Sequence, residues 1–131
     1  MGSLTDYFER KVLNAFCGND AAMASTSMWV AMYTATPSDA SGGTEVTGGN
    51  YARKSSGAWS TATGASGWVA NTATITYATA TLSWGNVSHF ALLDDSSTGN
   101  MVAWATLTAT RDIGTNDVAA FAIGSLTIAL D

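Results

Sequence analysis

The stretch VSHFALLDDSSTGNMVAWATLTAT, residues 87–110, has the pattern of a β-hairpin. Two runs rich in apolar and β-branched residues flank the segment DDSSTGN, whose Asp, Ser, Gly and Asn residues favour turns. The connection is longer than the tight two-residue type. The stretch therefore predicts two antiparallel strands joined by a loop.

Other parts of the chain predict further strands. MWVAMYTA, residues 28–35, is apolar on both alternating sets, which is typical of a strand covered on both faces. TATITYATATLSW, residues 72–84, alternates Thr with Ala73, Ile75 and Tyr77. The chain ends on a run in which Leu126, Ile128 and Leu130 alternate with Thr127 and Ala129. With no βαβ rhythm, we expect a mainly β fold, an antiparallel β-sandwich or jelly-roll-like barrel.

An N-terminal α-helix is predicted over residues 3–17, SLTDYFERKVLNAFC. One face would be apolar, because spacings of three and four residues relate Leu4, Phe8, Val12, Ala15 and Phe16. Ser3 followed by Asp6 resembles a capping box, and Gly18 supplies a stop signal. We expect a helix at 1–18 and a β-sandwich at 19–131, forming one domain overall.

The composition narrows the class of function. Only 11% of the 131 residues are charged, and the net charge is −5. A neutral, hydroxyl-rich surface suits packing against other protein, whereas nucleic acid needs clustered Lys and Arg. No stretch reaches the roughly 18 apolar residues of a membrane span, and the N-terminus lacks a signal-peptide pattern. We expect a soluble protein made in a cytoplasm, with no nucleic-acid or membrane partner.

The glycine-rich stretch GGTEVTGGNYARKSSG, residues 42–57, raises the question of a phosphate loop. It lacks the GK[ST] order and no helix follows, so the glycines are expected to shape turns between strands. The pair Arg53-Lys54 is interpreted as a solvated strand edge. The wider loop, residues 39–68, is expected to hold one or two weak strands around Tyr51 and Trp59, and to be functional or ordered within an assembly.

The search for an active site gives no positive signal. Cys17 is the single cysteine, expected to be a small buried hydrophobe, and His89 is the single histidine. We interpret His89 as a satisfied, partly buried strand residue that shares a face with Val87, Ala91 and Leu93. No metal-ligand spacing is present, and residues 94–100 lack a calcium-loop pattern. We therefore predict no enzyme activity, no cofactor and no metal.

Five tryptophans leave two interpretations open, packing between subunits or stacking on carbohydrate. Trp59 and Trp68 lie in the Gly/Ser/Thr-rich loop, so they are the better candidates for exposed contact. With Tyr51 they would form the platform of a glycan-binding module. Packing between subunits is the preferred interpretation.

Several motifs occur in an order that resembles a family of small tailed-bacteriophage virion proteins. They are the Tyr-Thr strand end before Thr-Pro-x-Asp (residues 33–39), Gly-Thr-Glu-Val-x-Gly-Gly-x-Tyr-Ala-Arg (residues 43–53), Trp-Gly-x-Val-x-His (residues 84–89) and Leu-Thr-Ile-x-Leu-Asp (residues 126–131). The resemblance spans nearly the whole chain and is least determined over residues 55–71. Members are commonly labelled tail-fibre proteins, and similar β-sandwich proteins serve as capsid cement.

The resemblance implies a non-enzymatic, self-associating virion protein. We expect a capsid cement or decoration protein that binds the major capsid protein or other virion proteins as a homotrimer. The alternative is a tail-fibre, tail-adaptor or tip protein, with carbohydrate binding to the host as a competing function. The helix would either cap its own sandwich or contact a partner. The candidate partner interface comprises Leu4, Tyr7, Phe8, Trp29, Glu45, Tyr51, Arg53, Lys54, Trp59 and Trp68.

Overall fold

A computed structural model of the chain describes residues 3–18, 27–40, 42–62 and 67–129. These residues form antiparallel strands and one helix, so the mainly β prediction with an N-terminal helix is confirmed. Among them, no helix has the length and apolar character needed to cross a membrane. The elements are β1 (Ser3–Leu4), α1 (Asp6–Phe16), β2 (Trp29–Ala35), β3 (Thr44–Glu45), β4 (Lys54–Ser55), β5 (Trp68–Ala70), β6 (Ile75–Thr76), β7 (Gly85–Leu93), β8 (Met101–Ile113), β9 (Ala120–Phe121) and β10 (Thr127–Ala129).

The main sheet has the strand order β1-β8-β7-β2-β3, and β4 also pairs with β2. The predicted hairpin is confirmed as β7 and β8, with Ala91 opposite Trp104. The backbone N–H of Asp94 donates to the Asn100 carbonyl at 3.1 Å, which closes the loop between the two strands. The long hairpin and β2 thus form the centre of the sheet, to which the shorter strands attach.

Two short ribbons, β5–β10 and β6–β9, complete a sandwich-like second layer. The main core contains Val30 and Met32 of β2, Leu92 of β7, and Ile75 and Leu126 from the ribbon side. A smaller cluster contains Ala31, Tyr33, Ala91, Leu93 and Met101. Residues of both alternating sets of β2 are buried, so the prediction of a strand covered on both faces is confirmed.

The predicted strand over residues 72–84 is much shorter in the structure, where only β6 pairs as a strand. Ile75 and Tyr77 are buried as predicted, whereas Ala73 is exposed. Beyond β6 the backbone bonds to loops instead of to a strand: Ala80 N–H donates to the Asp117 carbonyl at 2.9 Å, and Thr81 N–H to the Gly49 carbonyl at 3.0 Å. Alternation marked Ile75 and Tyr77 as facing the core but failed at Ala73, and it did not determine the backbone partners.

Two other predicted strand regions are also interrupted. The C-terminal run divides into β9 and β10 around a turn in which Ser125 N–H donates to the Ala122 carbonyl at 3.1 Å. Leu130 lies outside the described residues. In the loop at residues 39–68, β3 and β4 flank Tyr51, and Trp59 forms an isolated bridge with Asn71.

The helix is held mainly at its beginning. Thr5, not Ser3, is its N-cap residue, because Ser3 is part of β1 and pairs with Trp104. The Thr5 hydroxyl lies 3.2 Å from the Val102 carbonyl and also contacts that of Met101. Leu4 and Phe8 pack against the main core, but no residue of α1 is fully buried.

The last turn of α1 corrects one prediction. Its residues Leu13 and Phe16 are 63% and 89% exposed, although Phe16 belongs to the predicted apolar face. Cys17 is exposed as well, so the prediction of a buried thiol is wrong. The physical reason is that the anchoring contacts of Thr5 and Phe8 lie in the first turn, so they do not cover the helix end.

Candidate functional site

The candidate residues Glu45, Tyr51 and Arg53 meet in one hydrogen-bonded cluster, the Glu45 cluster. Arg53 Nε donates to Glu45 Oε1 and Arg53 Nη2 donates to Glu45 Oε2, both at 2.8 Å. The Tyr51 hydroxyl donates to Glu45 Oε1 at 3.0 Å and accepts from the backbone N–H of Met32 at 2.9 Å. The glycine-rich segment is thereby fastened to the central strand β2.

The same arginine reaches the loop between β7 and β8. Arg53 Nη1 donates to the carbonyl of Asp95 at 3.1 Å and to that of Thr98 at 2.6 Å. Its side chain is only 11% exposed, so the prediction of a solvated edge for Arg53 is wrong. Lys54 lies next to it in β4 and pairs with Val30. No local pattern in the sequence marks the contact, because 42 and 45 positions separate the partners along the chain.

The electrostatics of the Glu45 cluster indicate a fixed scaffold. The hydrogen bonds that Arg53 donates to the Glu45 carboxylate raise the pKa of the Arg53 guanidinium, and burial raises the pKa of the Tyr51 hydroxyl far above its usual range. Burial likewise raises the pKa of Tyr33 and Tyr77. These groups therefore keep one protonation state through the neutral range, as a structural ion pair does and an acid–base catalyst does not.

Two aromatic side chains, Tyr77 and Trp84, pack against Tyr51 of the Glu45 cluster. Tyr51 stacks on Tyr77 with ring centroids 6.0 Å apart and meets Trp84 edge-on at 5.4 Å. Trp84 Nε1 donates to the Gly49 carbonyl at 2.9 Å. Gly49 has a φ of 55°, and an added Cβ would lie 2.8 Å from the Leu82 carbonyl oxygen. This position needs glycine because of backbone conformation and close packing, in agreement with the structural interpretation of the stretch.

The carboxylates of Asp94 and Asp95 accept hydrogen bonds from backbone N–H groups of their own loop, residues 94–100. Asp95 Oδ1 accepts from the backbone N–H groups of Ser97 at 2.8 Å and Thr98 at 2.9 Å, which lowers the Asp95 pKa to about 2. Asp94 Oδ1 accepts from the Asn100 N–H at 2.6 Å. In the part of the chain that the structure describes, no group of three or more His, Cys, Asp or Glu residues could hold a metal ion.

The aromatic candidates are not equally accessible. Trp68 in β5 is 46% exposed, whereas Trp59 packs against the main core and its Nε1 donates to Ser56 Oγ at 3.0 Å. Trp29 is half-buried in β2, opposite Leu93. The structure therefore does not make Tyr51, Trp59 and Trp68 a uniformly exposed platform, and Trp68 is the open member.

The helix candidates largely contact their own chain. Leu4 and Phe8 pack against the main core, and the Tyr7 hydroxyl donates to Asp94 Oδ2 at 3.2 Å. These contacts correspond to the expectation that the helix caps its own sandwich. The large apolar side chains of α1 that remain exposed are Leu13 and Phe16, of which only Phe16 stood out in the apolar pattern.

A family described as "Podophage GP4 fiber I protein gp80" matches residues 3–129. The chain belongs to this family. The predicted resemblance to phage virion structural proteins is thereby confirmed, and this member of the gp80 family is a phage structural protein. A search of curated protein sequences finds no match.

His89 of this gp80-family chain lies in β7, as predicted, and it is packed within the sheet. It is 9% exposed, and its Nδ1 lies 2.8 Å from Ser88 Oγ. The predicted face is partly wrong: Val87 belongs to the main core, whereas Ala91 and Leu93 belong to the smaller cluster. The reason is a register shift between Val87 and His89, which breaks the two-residue period of the strand.

Proposed function

We propose that the chain is a non-enzymatic structural subunit of a podophage tail fibre. The match of the fiber I family over residues 3–129 carries this proposal, since it covers both the helix and the β layers. The Glu45 cluster supports it because its members bind one another and the backbone. Such a module acts by keeping its shape while its surface contacts other proteins.

The Glu45 cluster also suggests how that shape is maintained. Arg53 connects β3, through Glu45, with the loop between β7 and β8, and Tyr51 adds β2. Charge-assisted bidentate pairs combine strength with fixed orientation, so these segments move together. We propose that these candidate residues act inside the subunit and shape the surface that partners contact, while the uncovered apolar side chains make the contact.

Cryo-electron microscopy of the intact particle tests the location. Density for this fold within the tail fibres is expected. Density on the head at three-fold or quasi-three-fold positions would contradict the fibre proposal and favour the capsid cement alternative. That alternative draws on the low charge, because a neutral surface suits extensive contact with a capsid protein. Native mass spectrometry of the purified protein tests the proposed homotrimer.

Carbohydrate binding is a second candidate function, motivated by the 46% exposure of Trp68. A sugar that stacks on an indole ring changes the fluorescence of that tryptophan. Titration with host glycans should therefore alter the tryptophan emission of the native protein but not that of Trp68→Ala. Trp59→Phe serves as the control, because Trp59 packs against the core and phenylalanine keeps an aromatic ring at that position. Equal responses from native protein and Trp68→Ala would contradict a site at Trp68.

A further inference from the structure

The side chains that hold the loop at residues 94–100 come from opposite edges of the main sheet. In the strand order β1-β8-β7-β2-β3, the outermost strands β1 and β3 are four strand spacings apart, on the order of 20 Å. The helix α1 follows β1, whereas Glu45 of the Glu45 cluster lies in β3. The loop joins the inner strands β7 and β8, so it lies between the two attachments.

The two attachments use neighbouring residues of this loop. On the helix side, the Tyr7 hydroxyl donates to Asp94 Oδ2 at 3.2 Å. On the side of the Glu45 cluster, Arg53 Nη1 donates to the carbonyl of Asp95 at 3.1 Å and to that of Thr98 at 2.6 Å. Because Asp94 and Asp95 are consecutive, a change in the backbone between them alters both attachments.

Internal contacts make the loop a stiff link between the attachments. Asp95 Oδ1 accepts from two backbone N–H groups of the loop at 2.8 and 2.9 Å, and the Asp94 carboxylate accepts from the N–H of Asn100 at 2.6 Å. Gly99 has a φ of 83°, and a Cβ added there would overlap the Asp94 carboxylate and lie 2.6 Å from Asp95 Cβ. A loop bonded and packed in this way moves as a unit, so displacement at one attachment reaches the other.

The helix supplies the two states that a coupling needs. No residue of α1 is fully buried, whereas Ala31 and Ala91 in the centre of the sheet are 0% exposed. Elements with few buried apolar contacts open locally at a lower free energy than core strands. The helix can therefore leave the sheet while the β7–β8 hairpin stays folded.

We propose that residues 94–100 couple the docking of α1 to the Glu45 cluster. When α1 leaves the sheet, Asp94 loses the Tyr7 hydroxyl and the loop is held less firmly in the conformation that Arg53 binds. The coupling is reciprocal, because both attachments stabilise the same loop conformation. A contact that displaces the helix at one edge of the sheet thus loosens the glycine-rich segment at the other. The inference does not depend on the tail-fibre proposal, because it concerns contacts within one chain.

Hydrogen exchange measured by NMR on the full chain tests the coupling from the helix side. Tyr7→Phe removes only a hydroxyl. It should speed exchange of the Arg53 Nε–H, which binds Glu45, and of the Val46 N–H, which binds the Met32 carbonyl, by at least about threefold. The Ala91 amide in the centre of the sheet is the reference for global unfolding and should change less.

The reverse experiment uses Arg53→Lys and reads the helix. Exchange of the Thr5 N–H, which binds the Val102 carbonyl, and of the Glu9 N–H should be at least about threefold faster. Ser125→Ala is the control for both directions. It removes a 2.7 Å hydroxyl hydrogen bond in the turn between β9 and β10, and should change these rates by less than about twofold.

A third substitution tests the loop itself. Asp95→Ala leaves Tyr7 and Arg53 unchanged but removes the carboxylate that orders the loop, so it should speed exchange on both sides. Ser97→Ala is its matched control, because it keeps the backbone N–H and loses only a 3.2 Å hydroxyl hydrogen bond. It should leave both sides nearly unchanged.

The double variant Tyr7→Phe/Arg53→Lys measures the coupling directly. The increase in exchange of the Thr98 N–H should be smaller than the product of the two single increases, because each substitution already loosens the same loop. Increases confined to the side of each substitution, or increases that multiply independently, would overturn the proposal. An equal increase at Ala91 would show general destabilisation and would overturn it as well.

Discussion

Arg53 and Glu45 form a bidentate pair, with both nitrogen–oxygen distances at 2.8 Å. The remaining Arg53 nitrogen donates to the carbonyls of Asp95 and Thr98, so one side chain joins two loops far apart in sequence. A phosphate-binding or acidic-ligand role would need these donors to face a ligand. In this chain they face protein, which makes the pair a device for holding the fold.

Replacing Arg53 by Lys should lower the free energy of unfolding by about 1–3 kcal/mol. Lysine retains the charge but cannot reproduce the planar fork that reaches the carboxylate and the loop carbonyls together. Urea denaturation followed by tryptophan fluorescence measures the change. Arg111→Lys is the control, because Arg111 is exposed, and should differ from native protein by less than about 0.5 kcal/mol. Equal effects at both positions would refute the assigned role of Arg53.

Alanine substitutions at two glycine positions distinguish destabilisation by backbone strain from destabilisation by steric overlap. Gly49 and Gly85 both have positive φ, at 55° and 76°, so alanine at either position should cost about 1 kcal/mol in backbone strain. Only at Gly49 does the added Cβ approach another atom, the Leu82 carbonyl oxygen at 2.8 Å. Gly49→Ala should therefore lower the thermal midpoint more than Gly85→Ala. The reverse order would contradict the close packing at Gly49.

Alkaline pH should destabilise the fold through the buried tyrosines. Burial raises the pKa values of Tyr33, Tyr51 and Tyr77 above their ordinary value near 10. Their stabilising contribution is fully present below about pH 10 and is lost as pH rises towards the folded-state pKa values, because the unfolded chain releases those protons first. Each group contributes a slope of up to about 1.4 kcal/mol per pH unit.

Urea denaturation at a series of pH values above 9 measures this slope, and Tyr77→Phe provides the comparison. Phenylalanine cannot ionise, so the variant should lose stability less steeply than native protein above pH 10. Its stability at neutral pH should also be lower, because the Tyr77 hydroxyl donates to the Val30 carbonyl at 2.7 Å. Parallel slopes for the two proteins would exclude Tyr77 as a source of the pH dependence.

Cys17 should react with a thiol reagent in the folded protein. It is exposed after the last turn of α1, so labelling without denaturant should approach one thiol per chain. Mass spectrometry of protein treated with iodoacetamide measures the extent. Protein in urea gives the upper reference, and labelling that needs urea would restore the buried-thiol interpretation.

Local sequence patterns were sufficient to predict the central strands of the main sheet. Hydrophobic alternation with turn residues identified the β7–β8 hairpin, and apolar residues on both sets identified β2 as covered on both faces. Burial of Cys17 was mispredicted because periodicity gives the apolar face of a helix but not how far that face is covered, as the exposed Phe16 also shows.

The partners of the Glu45 cluster were beyond local patterns for another reason. The glycines of residues 42–57 indicated turns between strands, but the carbonyl acceptors of Arg53 are backbone atoms in a distant loop. Any residue type offers a carbonyl, so no side-chain signature marks the acceptor. The register shift between Val87 and His89 is likewise not marked by any local pattern of side chains.

The extent of β8, from Met101 to Ile113, has a mechanical consequence. Leu4, directly before the helix, pairs with Ala103 near one end of this strand, and Val87 pairs with Arg111 near the other. A pull between these two ends runs along the covalent backbone of β8, and the antiparallel hydrogen bonds to β7 lie perpendicular to it. β8 is thus a continuous strand that transmits such a pull from the helix attachment to the far end of the sheet without loading its hydrogen bonds to β7 in shear.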